Sequence, residues 1–461
     1  MRCILFTVLL LTSWTSMAQS LIIDSIIFEG NKKTKNYILR RELDFRIHDT
    51  VDASTFPSRL ESGRGRILNT GLFNEVTANI KSWNTETNHI KVHIKVEESW
   101  YIIPVPIFEL ADRNFNVWWN DFHGSLDRIN YGIRFVHQNL TGQQDALKIT
   151  AHTGYSQKLD LSYDWPFWGK NAAWRFSTDF LFSKARETYY NTLENKLSFY
   201  KSSDDYPLER IKIGTSLENR TTLQLFQSIR LEYHQNKISD SIVQLNPSYF
   251  LHGKNRQNYL ELIYTFKYDD RDLKYFPTRG RFAEITIDKE GIGNTTGLNT
   301  LTAKFALDQI IPWNERHNAG VQLRAKTSII RNQIPYFNSR ALGFSDNYLK
   351  GYEYYVIDGL DYFYLKFRER YIFLKNHFHY KLPFSKNKKE VPIQLAISAN
   401  AGTGYVNNVF YSESNNYSNR WLYNTGISIE SLLYNTVMFQ LDYSVNHAGK
   451  SGFYLHFHEN F

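Results

Sequence analysis

Two histidine pairs are the residues whose spacing could hold a metal ion. His377 and His379 stand two residues apart, as do His456 and His458, so each pair places both imidazoles on one face of an extended strand. Imidazole nitrogens are common zinc ligands. Histidines that line an interface or an interior without a metal are far more common, so the sequence predicts no metal site and no cofactor.

Residues for covalent chemistry are scarce. The chain contains no Gly-x-Ser-x-Gly elbow and no glycine-rich phosphate loop, which are the patterns expected of a serine hydrolase or a nucleotide-binding enzyme. Its single cysteine, Cys3, lies at the extreme N-terminus. We therefore expect no enzyme activity, no disulfide and no cysteine metal site.

A cation at the tip of a long loop is the more informative feature. Leu349, Lys350, Gly351 and Tyr352 lie within the polar and aromatic segment 333–360, between two strand-like runs. Glycine lets the backbone turn tightly, and the lysine ammonium can pair with a carboxylate. We call segment 333–360 the lid loop.

The N-terminus reads as an export signal. Arg2 precedes the apolar run Ile4 to Leu11, and Ser16-Met17-Ala18 forms a small-x-small cleavage site. We predict a signal peptide over residues 1–18. No other apolar run reaches the ~18 residues that a spanning helix needs, so a membrane form of the chain would have to be a barrel.

Composition favours such a barrel. Aromatic residues make up 16% of the 461, with 31 Tyr, 32 Phe and 10 Trp, and mean hydropathy is −0.45. Transmembrane barrels combine aromatic girdles with strands that face lipid at every second residue. A soluble β-rich protein is the alternative on composition alone. The net charge of +8 is not gathered into a basic tract, so nucleic-acid binding is not expected; attraction to acidic lipid head groups stays open.

Residues 20–98 predict a small α/β domain in the order β-α-α-β-β. Strand-like Leu21 to Phe28 turns at Gly30 and Asn31, and helices fit Tyr37 to Leu43 and Ala53 to Thr70. Gly71 ends the second helix, and Phe73 begins the first of two final strands.

Residues 100–461 predict an all-β transmembrane barrel of about 16 antiparallel strands. Short and long connections alternate along the series, as they do when both ends of a barrel lie on one side of a membrane. Within 187–256, Leu193 to Tyr200 could be a further strand or a loop hairpin. The predicted strands are 101–112, 130–138, 145–153, 157–165, 172–186, 206–216, 224–238, 257–272, 280–290, 298–311, 319–332, 361–373, 391–406, 421–433, 436–446 and 452–461.

Two further motifs lie at the turn between two predicted strands and in the last predicted strand. Segment 269–280, which we call the strand–turn motif, contains a proline corner and a terminal glycine. The last strand has apolar residues at every second position, Phe453, Leu455 and Phe457, and ends on Phe461. The motif residues are Asp270, Arg271, Asp272, Phe276, Pro277 and Gly280 in the turn, and Gly452, Leu455, Phe457 and Phe461 in the last strand.

These motifs, in this order, resemble the BamA/TamA superfamily of outer-membrane assembly and translocation barrels, with one POTRA domain over 20–98. The resemblance implies that the lid loop folds into the lumen and that the POTRA domain binds chains at an exposed strand edge. It also implies that the last strand is an insertion signal, and that a weak seam between first and last strands opens sideways. Pro104 and Pro106 would weaken pairing in the first strand.

The resemblance implies assembly, insertion or translocation of polypeptides in the outer membrane, with the POTRA domain in the periplasm. Partners would be the bilayer, unfolded or exported polypeptide clients, and periplasmic or lipoprotein accessory subunits. A dedicated secretion pore for one exported partner and a passive diffusion pore are the alternatives. One departure stands out: the family's loop tip carries Arg, whereas Lys350 cannot form a bidentate fork. Its acidic partner stays open, because the lumen phase of 361–373 is basic and Glu369 lies on the lipid phase.

Overall fold

Alternation of apolar and polar residues determines the architecture. The computed structural model describes residues 19–110, 115–169, 172–202, 205–293, 297–344, 347–381, 388–409, 415–434 and 437–458. They form an N-terminal α/β domain followed by a sixteen-stranded antiparallel sheet. No helix in these ranges is long and apolar enough to cross a membrane. The predicted signal peptide and Phe461 lie outside the described residues.

The N-terminal domain is a four-stranded sheet covered by two helices. Its strand order is β2-β1-β4-β3, with β1 parallel to β4, and Ile23, Phe56 and Ile90 are fully buried in its core. The short strand β2 was not predicted, because three residues carry too little alternation to be recognised. The elements are β1 Ser20–Glu29, α1 Asn36–Arg40, β2 Thr50–Asp52, α2 Phe56–Asn69, β3 Phe73–Asn84 and β4 His89–Glu98.

Two predicted turn residues in this domain, Gly30 and Gly71, lie at backbone positions that require glycine. Gly30 has φ of +95°, and a Cβ there would lie 1.9 Å from the carbonyl oxygen of Val96. Gly71 has φ of +73° just after α2, and Phe73 is buried at the start of β3. Asn31 stabilises the first turn by donating to the carbonyl oxygen of Thr34, at 2.9 Å.

The large sheet confirms the sixteen predicted barrel strands. Neighbouring strands pair in sequence order, except that β10 and β11 form a separate hairpin between β9 and β12. Leu193 to Tyr200 therefore belongs to a loop hairpin. The elements are β5 Ile102–Leu110, α3 Phe115–Asn120, β6 Ile129–Gln138, β7 Ala146–Gly154, β8 Ser156–Asp164, β9 Trp174–Ala185, β10 Glu187–Leu193, β11 Lys196–Lys201, β12 Leu208–Arg220, β13 Leu225–Ile238, α4 Asp240–Leu245, β14 Arg256–Asp269, β15 Gly280–Ile292, β16 Thr300–Pro312, β17 His317–Ser328, β18 Asp361–Lys381, β19 Lys388–Asn407, β20 Trp421–Leu433, β21 Val437–Asn446 and β22 Ser451–His458.

The two faces of the sheet differ in polarity. On β20, Ser428 and Glu430 are buried, whereas Ile427 and Ile429 are 64% and 56% exposed. The polar face lines the barrel lumen and the apolar face points outward, as in a membrane barrel. On β18, Arg370 is buried on the lumen side and Glu369 lies outward beside His317, at 3.0 Å. The strand phase predicted for this segment is the one observed.

Candidate functional site at the lid loop, the near-end turn and the seam

The lid loop enters the lumen through a groove made by glycines. Leu349 is 1% exposed, and it packs over Gly402 and Gly404 of β19. A Cβ on these glycines would lie 3.2 Å and 3.0 Å from the two methyl groups of Leu349. The leucine can reach the wall only because β19 has no side chains at these two positions.

Lys350 reaches across to the last strands of the barrel. Its ammonium lies 3.1 Å from Oδ1 of Asp442 on β21 and donates to the hydroxyl of Ser428 on β20, at 3.0 Å. Gly351 turns the chain with φ of +80°, and its carbonyl oxygen accepts from Nδ2 of Asn446 at 2.7 Å. Asp442 is thus the acidic partner that the sequence left open.

Tyr352 attaches the same loop to the rim of β20. Its hydroxyl lies 3.0 Å from the carbonyl oxygen of Tyr423 and 2.6 Å from Nδ1 of His447. Its ring is buried and stacks on the His447 ring. Of the four predicted loop-tip residues, Leu349, Gly351 and Tyr352 are buried and Lys350 is partly buried, and all four contact β19, β20 or β21.

One predicted histidine lies next to this attachment. Nε2 of His456, on β22, lies 3.3 Å from Asp442 and 3.7 Å from Glu353. Its Nδ1 lies 2.9 Å from the hydroxyl of Tyr348. The side chains of His379 and His458 lie outside the described residues. The arrangement places His456 in an ion-pair group with the lid loop.

The strand–turn motif forms a rigid turn at the end of the barrel next to the N-terminal domain, which we call the near end. The carboxylate of Asp272 accepts from the backbone N–H of Leu273 and of Thr278, each at 2.9 Å. Arg271 pairs with Asp269 at 2.7 Å. Gly280 has φ of +106°, and a Cβ there would lie 2.6 Å from the carbonyl oxygen of Asp270.

This turn folds back onto the lumen wall. The ring of Phe276 is fully buried, with the guanidinium of Arg370 3.8 Å from its centroid. Arg370 donates to the carbonyl oxygen of Pro277 at 3.0 Å and pairs with Glu430 at 2.6 Å. Both charged side chains are fully buried, so their mutual neutralisation is required for either to be there.

The N-terminal domain docks on the near end through polar contacts. Glu42 receives a two-pronged pair from Arg220, at 2.6 Å and 2.7 Å, and a third contact from Arg41 at 3.1 Å. Burial alone would raise the pKa of Glu42, but the two guanidinium groups outweigh it and hold that pKa below its ordinary value. Asn69 of α2 donates to the carbonyl oxygen of Asp272 at 3.1 Å.

A hydrogen-bonded triad reinforces the docking. The hydroxyls of Thr34 and Tyr101 lie 2.7 Å apart, and Asn139 donates to Thr34 at 2.9 Å. Burial raises the pKa of the Tyr101 phenol. Below these contacts, a space of about 1360 Å³ opens between α2 and the barrel mouth. Cationic side chains line much of it, among them Arg64, Arg175, Lys267, Lys274 and Arg279.

The first and last barrel strands, β5 and β22, are the two edge strands of the large sheet. In the described part of the chain no register joins β5 to β22; each pairs on one side only, with β6 and β21. Helix α3, which follows β5, packs against β22. Pro104 and Pro106 both lie within β5, and prolines in sheets occupy edge strands because they lack a donor for a second neighbour.

The predicted C-terminal motif lies along this edge. Gly452 and Leu455 are opposite Ser444 and Leu441 of β21, and the backbone of Phe457 is opposite Phe439. Leu455 is on the outward face, at 36% exposed. Its role as an insertion signal stays a prediction.

Sequence reasoning missed several acceptors and ion pairs. Glu430 and Asp442 are single acidic residues in strands, and Glu42 lies in the turn after α1; none of the three has a local motif around it. Two signals could have identified them in the sequence. One is a position on the lumen-facing side of a strand, and the other is an apolar neighbourhood in which a charged residue needs a partner of opposite charge. Their partners lie far away in the chain, so spacing carries no signal.

Comparisons with known proteins agree with this architecture. The Omp85 superfamily domain matches residues 139–460, and the POTRA family, described as a surface antigen variable number repeat, matches residues 21–99. The chain belongs to the Omp85 superfamily. It is an outer-membrane β-barrel with a periplasmic POTRA domain, and it acts in polypeptide assembly or translocation instead of enzyme catalysis.

Solved structures share the fold at low sequence identity. BamA from Haemophilus ducreyi lacking POTRA domains 1–3 is 14% identical, with 95% of this chain and 84% of that chain covered and a TM-score of 0.51. CdiB from Escherichia coli is 8% identical, with coverages of 98% and 92% and a TM-score of 0.50. A sequence search of curated proteins finds no significant match.

Proposed function

We propose that this protein inserts, assembles or translocates polypeptides by opening the seam between β5 and β22. The position of β5 and β22 as the two edge strands of the large sheet, among the residues that the structure describes, carries the proposal. An unpaired strand offers a row of free N–H and C=O groups to an incoming chain, so β22 could template a client strand by β-augmentation. The bilayer supplies the second surface that the client meets.

The lid loop has a defined part in this proposal. Lys350 contacts β20 and β21, while Tyr348 contacts His456 on β22. These are the last three strands of the barrel, on one side of the seam. The loop therefore holds that side as one unit, so that β5 and its neighbours can move away from it.

We further propose that the POTRA domain receives clients before they reach the seam. Its edge strand β3 exposes Ile80 and Trp83, at 36% and 43%, which suits pairing with an extended polypeptide. Periplasmic or lipoprotein accessory subunits would bind on the same domain. Its ion pairs with the near end keep this edge at a fixed distance from the lumen.

A dedicated secretion pore is the second candidate. The observation that favours it is Lys350, since a point charge replaces the bidentate cation of the general family pattern. A pore of this kind would serve one exported partner and leave other barrel proteins unaffected.

The test is depletion of the protein in its own host, followed by quantitative proteomics of the outer membrane. Loss of many barrel proteins is expected of a general assembly factor. Loss of one or a few exported proteins would identify a dedicated translocator. An unchanged outer membrane would contradict the proposal and favour a passive pore.

A further inference from the structure

Three glutamates stand in one row across the lumen wall. The strand registers place Glu232 of β13 opposite Glu261 of β14, and Glu261 opposite Glu290 of β15. Like charges directly opposite each other destabilise a sheet. Glu232 and Glu261 are 6% and 9% exposed, so water screens their repulsion weakly. The row needs a positive charge to be stable.

His234 lies between two of these carboxylates. Its Nε2 is 3.0 Å from Oε2 of Glu232 and 2.8 Å from Oε2 of Glu261. This nitrogen is buried and makes no hydrogen bond of acceptable geometry within the described residues. The imidazole stacks face to face on Tyr259, with centroids 4.6 Å apart, and the stack fixes its direction.

The protein's own lysines and arginines pair with only one glutamate of the row, Glu232, among the described residues. Lys212 and Arg230 pair with Glu232, and they also pair with Asp179. Lys304 pairs with Asp288 at 3.0 Å. Among the described residues, Glu261 has no ion-pair partner except His234.

The neighbouring acidic groups, Glu290 and Asp288, also lack sufficient positive charge. Among the described residues, the carboxylate of Glu290 accepts hydrogen bonds from the neutral side chains of Thr300 and Asn338 and forms no ion pair. Oδ1 of Asp288, a residue 7% exposed, has no partner in the described part of the chain. Lys326, a further lysine in the barrel, donates its hydrogen bond to the carbonyl oxygen of Arg340 and not to a carboxylate of the row. A divalent cation would supply the missing charge.

We propose that Glu232, His234 and Glu261 bind a first-row divalent metal ion in the barrel lumen. One imidazole nitrogen with two carboxylate oxygens suits zinc or manganese better than magnesium or calcium, which prefer oxygen alone. Nε2 of His234 lies 3.0 Å and 2.8 Å from the two carboxylate oxygens, close to the separation of about 3.0 Å between adjacent ligands of an octahedral ion with bonds of about 2.1 Å. The ion would tie β13 to β14 beneath the lid loop, where Asn338 contacts Gln257 and Glu290.

A second group in the barrel provides a matched control. Glu353, Asp442 and His456 offer the same donor types at similar spacing. There the ammonium of Lys350 already lies 3.1 Å from Asp442. Because that charge is supplied by the protein, we expect no metal at the second group.

The experiment uses the full-length folded barrel in detergent, stripped with a chelator and then titrated with Zn²⁺ or Mn²⁺ alone. Bound metal is counted by mass spectrometry after desalting, and the thermal midpoint of unfolding is followed by gel mobility. We expect one ion per chain and a higher midpoint with metal. His234→Ala and Glu261→Gln should weaken binding about tenfold or more, since even indirect supporting groups cost about 10- to 100-fold. His456→Gln should bind as the wild type does.

Glu261→Gln keeps the test decisive if His234→Ala does not fold. Replacing one carboxylate by an amide relieves the repulsion, so the metal-free variant should unfold at a higher temperature than the metal-free wild type. The proposal is overturned if the wild type holds no stoichiometric ion, because His234 is then simply protonated between its two neighbours. It is equally overturned if Glu261→Gln retains the ion, or if His456→Gln alone loses it.

Discussion

Lys350 and Asp442 form an ion pair of 3.1 Å between the tip of the lid loop and the next-to-last barrel strand. The aspartate side chain is fully buried and the lysine is 12% exposed. A loop that begins after β17 is thereby fixed to β21, the neighbour of the edge strand β22. This link makes the loop part of the strand group that borders β22.

Reversing the charge at Lys350 should release the lid loop. In Lys350→Glu two carboxylates would face each other in the lumen, and losing one partner of a buried pair costs about 3–5 kcal/mol. We expect a lower unfolding midpoint and faster protease cleavage within 333–360. Lys350→Arg is the control and should keep the wild-type unfolding midpoint and cleavage rate, because it retains the positive charge beside Asp442. Unchanged stability and function in Lys350→Glu would remove Lys350 from the mechanism.

Filling the glycine groove should displace the same loop by steric means. A side chain at Gly404 meets Leu349, the carbonyl oxygen of Phe363 and Cβ of Tyr364, each at 3.0 Å. We expect Gly404→Val to expose the lid loop to protease while the barrel strands stay folded. Gly320→Val is the matched control, because the nearest atoms to a Cβ there lie 3.6 Å away or more. Equal cleavage in both variants would count against the groove.

Removing Arg370 should loosen the near-end turn. Arg370→Ala leaves Glu430 buried without a countercharge and deletes the bond to the carbonyl oxygen of Pro277, at a cost of about 3–5 kcal/mol. The double variant Arg370→Met with Glu430→Met removes both charges and should recover most of the unfolding free energy. Denaturant unfolding of the wild type, the single variant and the double variant measures these free energies of unfolding. An equally unstable double variant would show that volume, not charge, is decisive.

Acid should detach the POTRA domain from the near end. The pKa of Glu42 is lowered in the folded protein, so its stabilising contribution is complete above its ordinary value of 4.5 and is lost as pH falls through the lowered value. Spin labels at Thr87 and Glu315 would report the distance between domain and barrel. We expect the distance distribution to broaden only in acid, and in Glu42→Gln to be broad at neutral pH also. A wild-type distribution independent of pH would contradict this.

Locking the seam should stop activity. A disulfide between one cysteine in β5 and one in β22, placed where their Cα atoms lie within about 7 Å of each other, would prevent lateral opening. The control is a disulfide between Tyr443→Cys and Phe453→Cys. These two positions already pair across β21 and β22, so this disulfide does not restrict the separation of β5 from β22. Client insertion is compared in oxidised and reduced protein. Full activity of the oxidised β5–β22 form would rule out opening at this seam.

Strand existence was predictable because barrel strands carry their own pattern. Each faces lipid on one side and the lumen on the other, so alternation along ten residues reports the environment directly. The phase of β18, with Arg370 inward and Glu369 outward, followed from the same rule. The three-residue strand β2 and the pairing of β10 with β11 carried too little of this pattern to be determined.

The sequence by itself determined the class of fold, the domain order and the backbone needs of the motifs, because periodicity, glycine and proline act locally. Which acid meets Lys350, which carboxylate neutralises Arg370, and which glutamates share a row with His234 were decided only by the tertiary structure. Those pairs depend on register between strands and on the path of a loop through the lumen. Register is set by the summed packing of whole strands, and no single residue encodes it.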